Sequence, residues 1–203
     1  NSPDALSHMA AARDLAPDEE RWLQVQTRVL VSCRGDSSIY LRELDRLEQH
    51  APTSRMPAPL RVTVAAFVMW QRALAHANEP TRATELWQTL LEQYGGELVG
   101  KESLATLAEA AIHDLIEKHG PEAYARIAER ANAALTAAAD SPEALQALTR
   151  QFPNSDAARR AGLRLLDRAV EEGNLGVACD VLARANRTDS ISAGVLRRVQ
   201  VAA

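Results

Sequence analysis

Apolar residues recur at three- and four-residue steps along most of the chain, a pattern that predicts a succession of amphipathic α-helices. The stretch from Thr149 to Ala185 shows it most completely. Ser155 caps a first predicted helix, which ends at Gly173 and Asn174. The apolar positions of that helix are Ala158, Ala161, Leu165, Leu166 and Ala169. A second predicted helix presents Leu175, Ala178, Val181, Leu182 and Ala185 on one face. The stretch therefore predicts one helix-turn-helix unit, in which the small side chain of Ala178 lets the two helices approach closely.

Several predicted helices begin with the same local pattern. It occurs as Ser2-Pro3-Asp4-Ala5-Leu6, Gly120-Pro121-Glu122-Ala123-Tyr124 and Ser141-Pro142-Glu143-Ala144-Leu145, with relatives at Ala16-Pro17-Asp18 and Glu79-Pro80. Proline at the first helical position loses no hydrogen bond, and the acid beside it faces the positive end of the helix dipole. The recurrence of this pattern predicts that the chain is built from repeated helical units.

In chain order, the periodicity predicts about eleven helices joined by short connectors. They span about 3–15, 17–33, 38–49, 59–76, 80–94, 102–118, 121–138, 142–151, the two helices of the unit above, and a last segment at 190–201. The connector at 51–59 holds three prolines and is the best internal boundary. Gly95-Gly96 predicts a left-handed helix cap followed by a loop over 96–101. The helix at 59–76 is apolar over most of its circumference, which predicts burial between neighbouring helices.

Composition favours the all-α class. Of the 203 residues, 46% are hydrophobic but only 4% are aromatic, and alanine and leucine suit close helix packing better than a β-sandwich. The longest apolar run, Val62 to Trp70, is far shorter than the roughly 20 residues that span a bilayer. We therefore expect no membrane insertion. Trp22, Trp70 and Trp87 all fall on apolar stripes and are expected in the core.

The sequence predicts no catalytic, cofactor-binding or metal-binding residue. His113, Glu117 and His119 lie near one another, but the two histidines do not share a helix face, and His113 falls half a turn from the apolar stripe and should face solvent. Cys33 and Cys179 fit buried free thiols, although a disulfide between them stays an alternative. No glycine-rich phosphate loop, nucleophile elbow or Cys-x-x-Cys motif is present.

Four arginines lie along one predicted helix, at Arg159, Arg160, Arg164 and Arg168. One interpretation is a solvated face, with Asp156, Asp167 and Glu171 within reach to compensate the charge. The other is an anion-binding patch. A nucleic-acid site would need a more continuous positive stripe with interleaved aromatic residues, and the net charge of the chain is −4, so we expect no nucleic-acid partner.

The stretch that carries the helix-turn-helix unit resembles a tetratricopeptide repeat. Its matching positions are Leu165, Gly173, Asn174, Ala178, Leu182 and Ala185. It departs at Leu166 and Ala169, where the family has a small residue and an aromatic residue. The phrase Phe152-Pro153-Asn154-Ser155 is similar to the start of units in bacterial envelope repeat proteins of the Tol-Pal coordinator type. It is also similar to the helical segment of large bacterial proteins that carry a pyrroloquinoline-quinone-type β-propeller, and residues 124–185 are closest to that segment.

The resemblance implies a fold of antiparallel helix pairs stacked as a right-handed tetratricopeptide-like solenoid. We expect a single helical-repeat domain over 1–203, with a sub-boundary at 51–59 and a linker at 186–203. The implied function is a non-enzymatic protein–protein interaction or spacer scaffold, in which the partner is another protein or a neighbouring domain. The resemblance alone favours the periplasmic side of the cell envelope. The alternatives are an anion-binding module on the Arg159–Arg168 face and a helical enzyme with no recognisable active site.

The start of the chain predicts either a processed form or a piece of a longer chain, and with the other end it leads us to expect a segment of a larger bacterial protein. The sequence begins at Asn1 without a leader, and the stretch from Val195 to Ala203 has no helix cap. Leu196, Val199 and Val201 would then leave an apolar face in need of cover. We expect a partner surface or self-association at that end, while the sequence assigns no individual partner-binding residue.

Overall fold

The computed structural model describes residues 3–53, 57–99, 101–174 and 176, and these residues form an all-helical protein with one short strand pair. The helices are α1 (Pro3–Asp14), α2 (Glu19–Cys33), α3 (Ser37–Thr53), α4 (Ala58–Ala75), α5 (Pro80–Tyr94), α6 (Leu104–His119), α7 (Ala125–Ala138), α8 (Pro142–Gln151) and α9 (Asp156–Glu171). The strands are β1 (Leu98–Val99) and β2 (Glu102–Ser103). The all-α class is confirmed. Apart from Gly176, the predicted second helix of the repeat unit, with Ala178, lies outside the described residues, and so does the segment at 190–201.

The chain forms two compact units, residues 1–108 and 109–203, and the boundary falls within α6. In the first unit each helix packs on the next, α1 on α2, α2 on α3, α3 on α4 and α4 on α5. In the second unit α7, α8 and α9 pack on one another. The connector predicted at 51–59 lies inside the first unit, between α3 and α4, and α3 itself continues to Thr53.

Small and aliphatic side chains fill the interior of each unit. The core cluster of the first unit comprises Leu30, Cys33, Tyr40, Leu44, Leu47, Ala51, Val64 and Val68. In the second unit the buried side chains include Ile112, Ile127, Leu135, Leu145, Leu148, Phe152 and Leu166. Ala83, Ala131 and Ala161 have no exposed surface at all. Helices that meet at alanine can approach more closely than helices that meet at leucine, as the composition predicts.

The proline-centred helix starts are confirmed at Pro3, Pro80 and Pro142, which are the first residues of α1, α5 and α8. At the Ala16-Pro17-Asp18 relative of the pattern, the helix begins two residues after the proline. There Asp18 is the N-cap, and its Oδ1 accepts a hydrogen bond of 2.8 Å from the Arg21 N–H. The capping carboxylate therefore sets the residue at which α2 begins.

The prediction of one continuous helix over 121–138 is wrong for its first turn. Pro121–Tyr124 forms a 3-10 turn, and α7 begins only at Ala125. Tyr124 separates the two because its backbone, at φ −112° and ψ 2°, leaves the helical region while its side chain is buried. Burial of this ring therefore overrides the local periodicity.

The left-handed cap predicted at Gly95-Gly96 is also wrong. Gly95 has right-handed angles, φ −57° and ψ −25°. A Cβ on Gly95 would lie 2.5 Å from the carbonyl oxygen of Leu91 and 3.2 Å from the Cβ of Ala105, so this position needs glycine for close approach. The loop predicted over 96–101 contains β1, which pairs antiparallel with β2 through Leu98 opposite Ser103.

Helix α9 ends just before Gly173 and Asn174, as predicted. Gly173 is left-handed, with φ 68°. The Asn174 N–H donates to the Ala169 carbonyl at 2.8 Å, and the Gly173 N–H donates to the Val170 carbonyl at 3.1 Å. This pair of hydrogen bonds is the Schellman motif, which satisfies the last carbonyls of a helix.

Candidate interaction surface

Helix α4 exposes one apolar face. Its members are Leu60, Thr63, Phe67, Trp70 and Leu74, called here the α4 stripe. Alternating three- and four-residue steps place these side chains along one side of the helix. Leu60 is 39% exposed and Leu74 is 49% exposed, while the two aromatic side chains between them are half-buried. The rings of Phe67 and Trp70 meet edge to face, with centroids 6.5 Å apart.

On its other sides α4 packs on its two neighbours, α3 and α5, except near its start, where Val62 is 41% exposed. Val64 and Val68 belong to the core cluster. Gln71 is buried beside them and its Oε1 accepts a hydrogen bond of 2.6 Å from the Tyr40 hydroxyl of α3. The predicted burial of α4 over most of its circumference is therefore wrong on the side of Leu74, because two neighbouring helices cover only part of its surface.

The predicted core position of the tryptophans is confirmed for Trp87, which is buried, but not for the half-buried Trp22 and Trp70. Trp22 stacks on the ring of His50, with centroids 3.7 Å apart and planes 8° apart. The Nε2 of His50 in turn lies 3.0 Å from Oε2 of Glu19. Trp22 therefore forms part of a polar contact between the start of α2 and the end of α3.

All four arginines of the α9 face have partners within the second unit. Arg159 bonds Asp156, Arg160 bonds Asn132, Arg164 bonds the Ala139 carbonyl and Arg168 bonds Glu172. The Arg168–Glu172 distance is 2.6 Å, and this hydrogen bond raises the pKa of Arg168. Arg159 and Arg168 thus carry their own compensating acids, while the other two arginines attach α9 to α7 and to the turn after it. An anionic ligand would have to replace these partners.

The histidines considered for a metal lie at the surface. His113 is exposed, as predicted, and its Nε2 is 3.5 Å from Oε1 of Glu117, which is also exposed. His119 is exposed at the last position of α6. Within the described residues, no three His, Cys, Asp or Glu side chains form a group that could hold a metal ion.

Cys33 is a buried free thiol, as predicted. Its Sγ lies 3.5 Å from the Leu30 carbonyl, to which the thiol donates. Burial raises the pKa of the Cys33 thiol, and the negative charge of Glu43 raises it further. Cys179 lies outside the described residues.

A buried ionic cluster that the sequence analysis missed joins α1, α2 and α3. The Nη1 of Arg13 donates to Oε1 of Gln26 at 2.8 Å and to Oε2 of Glu43 at 2.6 Å. The Nε2 of Gln26 donates to the Glu43 carbonyl at 2.8 Å. All three side chains are almost completely buried. A buried charge pair of this kind depends on every partner being present.

A sequence signal for this cluster existed. Glu43 is preceded by Tyr40 and followed by Leu47 at three- and four-residue steps, so it occupies the apolar stripe of α3. Gln26 lies in the same way between Trp22 and Val29 of α2. Polar residues at stripe positions require buried partners, so the sequence could have marked both residues as buried and hydrogen-bonded, but not their pairing with each other.

Comparisons of the chain with protein-family models, with curated proteins and with solved structures find no match. Among the described helices, none has the length and apolarity needed to cross a membrane.

Proposed function

We propose that this chain is a non-enzymatic protein–protein interaction or spacer scaffold, and that the α4 stripe is its contact surface. In this proposal the helices form antiparallel pairs, stacked as a right-handed solenoid of the tetratricopeptide-like type. The partner is another protein or a neighbouring domain of a larger bacterial protein. The observation that carries the proposal is the α4 stripe itself, an apolar helix face with Leu60 and Leu74 open to solvent.

The spacing of the stripe specifies the chemistry of the partner. Side chains at three- and four-residue steps along about four helical turns fit an α-helix that carries the same spacing of apolar side chains. None of the five stripe positions is charged, so the centre of the contact is apolar. A stripe of this length covers less area than the roughly 800 Å² per partner of a standard stable interface. We therefore propose a transient contact, or one that continues onto neighbouring surface.

The anion-binding alternative has less support. Each arginine of the α9 face already bonds a carboxylate, an amide or a backbone carbonyl. Arg160 and Arg164 also link α9 to α7 and to the turn after it, so a ligand that withdrew them would remove contacts within the unit.

The test compares two double variants of the full chain. Leu60→Glu with Leu74→Glu places two charges on the α4 stripe, and Leu15→Glu with Val31→Glu places two charges on other exposed apolar positions. Circular dichroism first establishes that both variants keep the helical content of the wild type. Affinity capture then compares the proteins recovered by each variant, and a photo-crosslinking residue at position 74 or 31 identifies the partner segment in contact.

We expect the stripe variant to lose a partner that the control variant retains, with crosslinks from position 74 to an amphipathic helix of that partner. Equal recovery by both variants would show that the stripe is not the contact surface. Crosslinks from position 31 alone would lead to the same conclusion.

A further inference from the structure

The buried arginine of α1 occupies a receptor that belongs entirely to two other helices. Gln26 of α2 and Glu43 of α3, together called here the arginine socket, accept the Nη1 hydrogen bonds of Arg13. The Gln26 side chain is held in place by its own bond to the Glu43 carbonyl. The second carboxylate oxygen of Glu43, Oε1, lies 3.3 Å from the Nη1 of Arg46 and 3.9 Å from the Nε of Arg42, and both arginines are substantially exposed. The socket is therefore organised by α2 and α3, and α1 supplies only the guanidinium.

Helix α1 attaches through one buried charge and several partly buried side chains among its described residues. Among its described side chains, from Leu6 to Asp14, Arg13 is the one buried residue, and the others are half-buried or exposed. Leu6 packs against the core cluster from a half-buried position. The connection to α2 runs from Leu15 to Asp18, and Leu15 is 83% exposed. The attachment of α1 thus depends strongly on one buried ion pair, which another copy of α1 could form equally well.

We propose that the arginine socket accepts α1 of a second copy of this chain, producing a dimer in which two molecules exchange their first helices. Exchange preserves every α1 contact, because the same residues meet in the closed monomer and in the exchanged dimer. An attached α1 competes at a millimolar effective concentration, so the closed monomer prevails when the protein is dilute. The dimer becomes dominant once the contact within one chain is made unfavourable and the contact between chains is kept. The exchange does not depend on the α4 stripe.

Two charge reversals create that situation. In the Arg13→Glu variant two carboxylates face each other in the buried site, and in the Glu43→Arg variant two guanidinium groups do so. Each variant alone repels α1, both within the chain and between identical copies. In an equimolar mixture, an exchanged heterodimer satisfies both sites. The carboxylate introduced at position 13 of one chain meets the guanidinium introduced at position 43 of the other, and the unaltered Arg13 meets the unaltered Glu43. Gln26 tolerates either polarity because its amide can donate or accept.

The experiment mixes the two full-length variants, distinguished by mass, at micromolar concentration and records native mass spectra and light scattering. We expect each variant alone to be monomeric and the mixture to convert mainly to a 1:1 heterodimer with a higher melting temperature than either component. The matched control carries both reversals in one chain, which restores the ion pair internally and should remain a monomer. A mixture that stays monomeric while this control folds would overturn the proposal.

A second measurement decides the matter if the charge reversals prevent folding. A fluorescent peptide of residues 1–16 is titrated into the full-length Arg13→Ala chain, whose own α1 lacks the guanidinium. We expect saturable binding that weakens at least about tenfold when the peptide itself carries Arg13→Gln, since the Glu43 carboxylate then loses its closest buried partner and keeps only the longer contacts with Arg46 and Arg42. Equal binding of both peptides, or binding of neither, would overturn the proposal.

Discussion

Ala139 occupies a conformation that L-residues rarely adopt. Its backbone has φ 46° and ψ −115°, at the end of α7 where the chain turns toward α8. Its carbonyl accepts a hydrogen bond of 3.0 Å from Nη1 of Arg164, so α9 holds the turn in place. A non-glycine residue in such a region costs about 1–3 kcal/mol, which the surrounding contacts must offset. The run of alanines before it contains no turn residue that would predict this geometry.

Replacing Ala139 with glycine should therefore stabilise the protein. Relief of the backbone strain outweighs the extra freedom that glycine gives to the unfolded chain, leaving a net gain of about 0.5–1.5 kcal/mol. Urea denaturation provides the measurement. The matched control is Ala137→Gly, at an exposed position in the last turn of α7, which should destabilise by up to about 1 kcal/mol. A loss at position 139 as large as at position 137 would contradict the strained geometry.

Ser155 illustrates a residue whose role was predictable. Its Oγ accepts from the Ala158 N–H at 3.0 Å and donates to the Phe152 carbonyl at 2.8 Å, and the side chain is buried. Ser155→Ala should cost about 1–2 kcal/mol because it leaves the buried Ala158 N–H without its partner. The Phe152 carbonyl loses one of two hydrogen bonds and keeps the one from the backbone N–H of residue 155. The exposed cap Ser141 is the control, and Ser141→Ala should cost less in the same denaturation experiment. Equal costs would mean that burial adds nothing to the cap.

Cys33 should react with thiol reagents only when the protein unfolds. Its side chain is buried, and burial raises the pKa of the thiol, so little thiolate is present at neutral pH. The unfolded thiol ionises above pH about 8.5 while the folded thiol stays protonated, so this contribution to stability is lost as the pH rises. In a Cys179→Ser background, alkylation should be slow in buffer and fast in denaturant. Rapid alkylation of the native protein would contradict the burial of Cys33.

At the scale of elements, α3 begins with a carboxylate that is both cap and titrating group. Asp36 Oδ1 accepts hydrogen bonds from the N–H groups of Ser38 and Ile39, each at 3.0 Å. These bonds lower the pKa of Asp36, the Ile39 bond most strongly. A lowered pKa in the folded state means that the stabilisation is present at neutral pH and is lost as the pH falls through the folded value.

The Asp36→Asn variant should separate charge from capping. Asparagine caps helices as well as aspartate does but has no carboxyl group to protonate. We expect the variant to show a shallower loss of stability than the wild type below pH about 4, measured by melting temperature as a function of pH. The exposed Asp156, which begins α9, provides an Asp→Asn control on another helix. Identical slopes for Asp36→Asn and wild type would exclude Asp36 as a contributor to acid unfolding.

The contacts of α9 also depend on residue size. Ala161 is fully buried where α9 packs on α7 and α8. Ala161→Leu should destabilise by about 1–3 kcal/mol, because three added carbon atoms overpack the contact. Ala137→Leu, at an exposed helical site, should be nearly neutral in the same urea titration. An unchanged midpoint for Ala161→Leu would indicate that α9 does not pack closely at this position. The close helix approach predicted at Ala178 lies outside the described residues.

At the scale of the whole molecule, the features that the sequence predicted well are those with local causes. The caps of α9 at Ser155 and Gly173 depend on hydrogen bonds within a few residues. Proline at the start of α5 and α8 depends only on its own missing N–H. The exposure of Leu74 depends instead on how many helices surround α4, and the periodicity of one helix contains no information about its neighbours.

The unit boundary within α6 likewise could not be predicted from local sequence patterns. Apolar periodicity runs without a break across Ala108 and Glu109, and the boundary has no proline or glycine to mark it. The strongest local break, at 51–59, lies between two helices that pack together in one unit. Prolines and glycines that interrupt the periodicity show where a helix ends. The boundary between two compact units depends instead on which helices contact each other, and tertiary packing decides those contacts. The α4 stripe could be located by spacing, but its solvent exposure could not.

The buried cluster of Arg13, Gln26 and Glu43 places a constraint on how this sequence can diverge. Any single substitution that removes one charge takes away the closest and most buried partner of the other. Glu43 would keep only the partly exposed Arg46 and Arg42, and Arg13 would keep only the exposed Asp14, so such a change should be disfavoured unless a second change accompanies it. Descendants of this chain should therefore either keep all three residues or replace Arg13 and Glu43 together, with neutral side chains at both positions as the natural route. Positions 13 and 43 are separated by 30 residues, yet they should change together among related sequences.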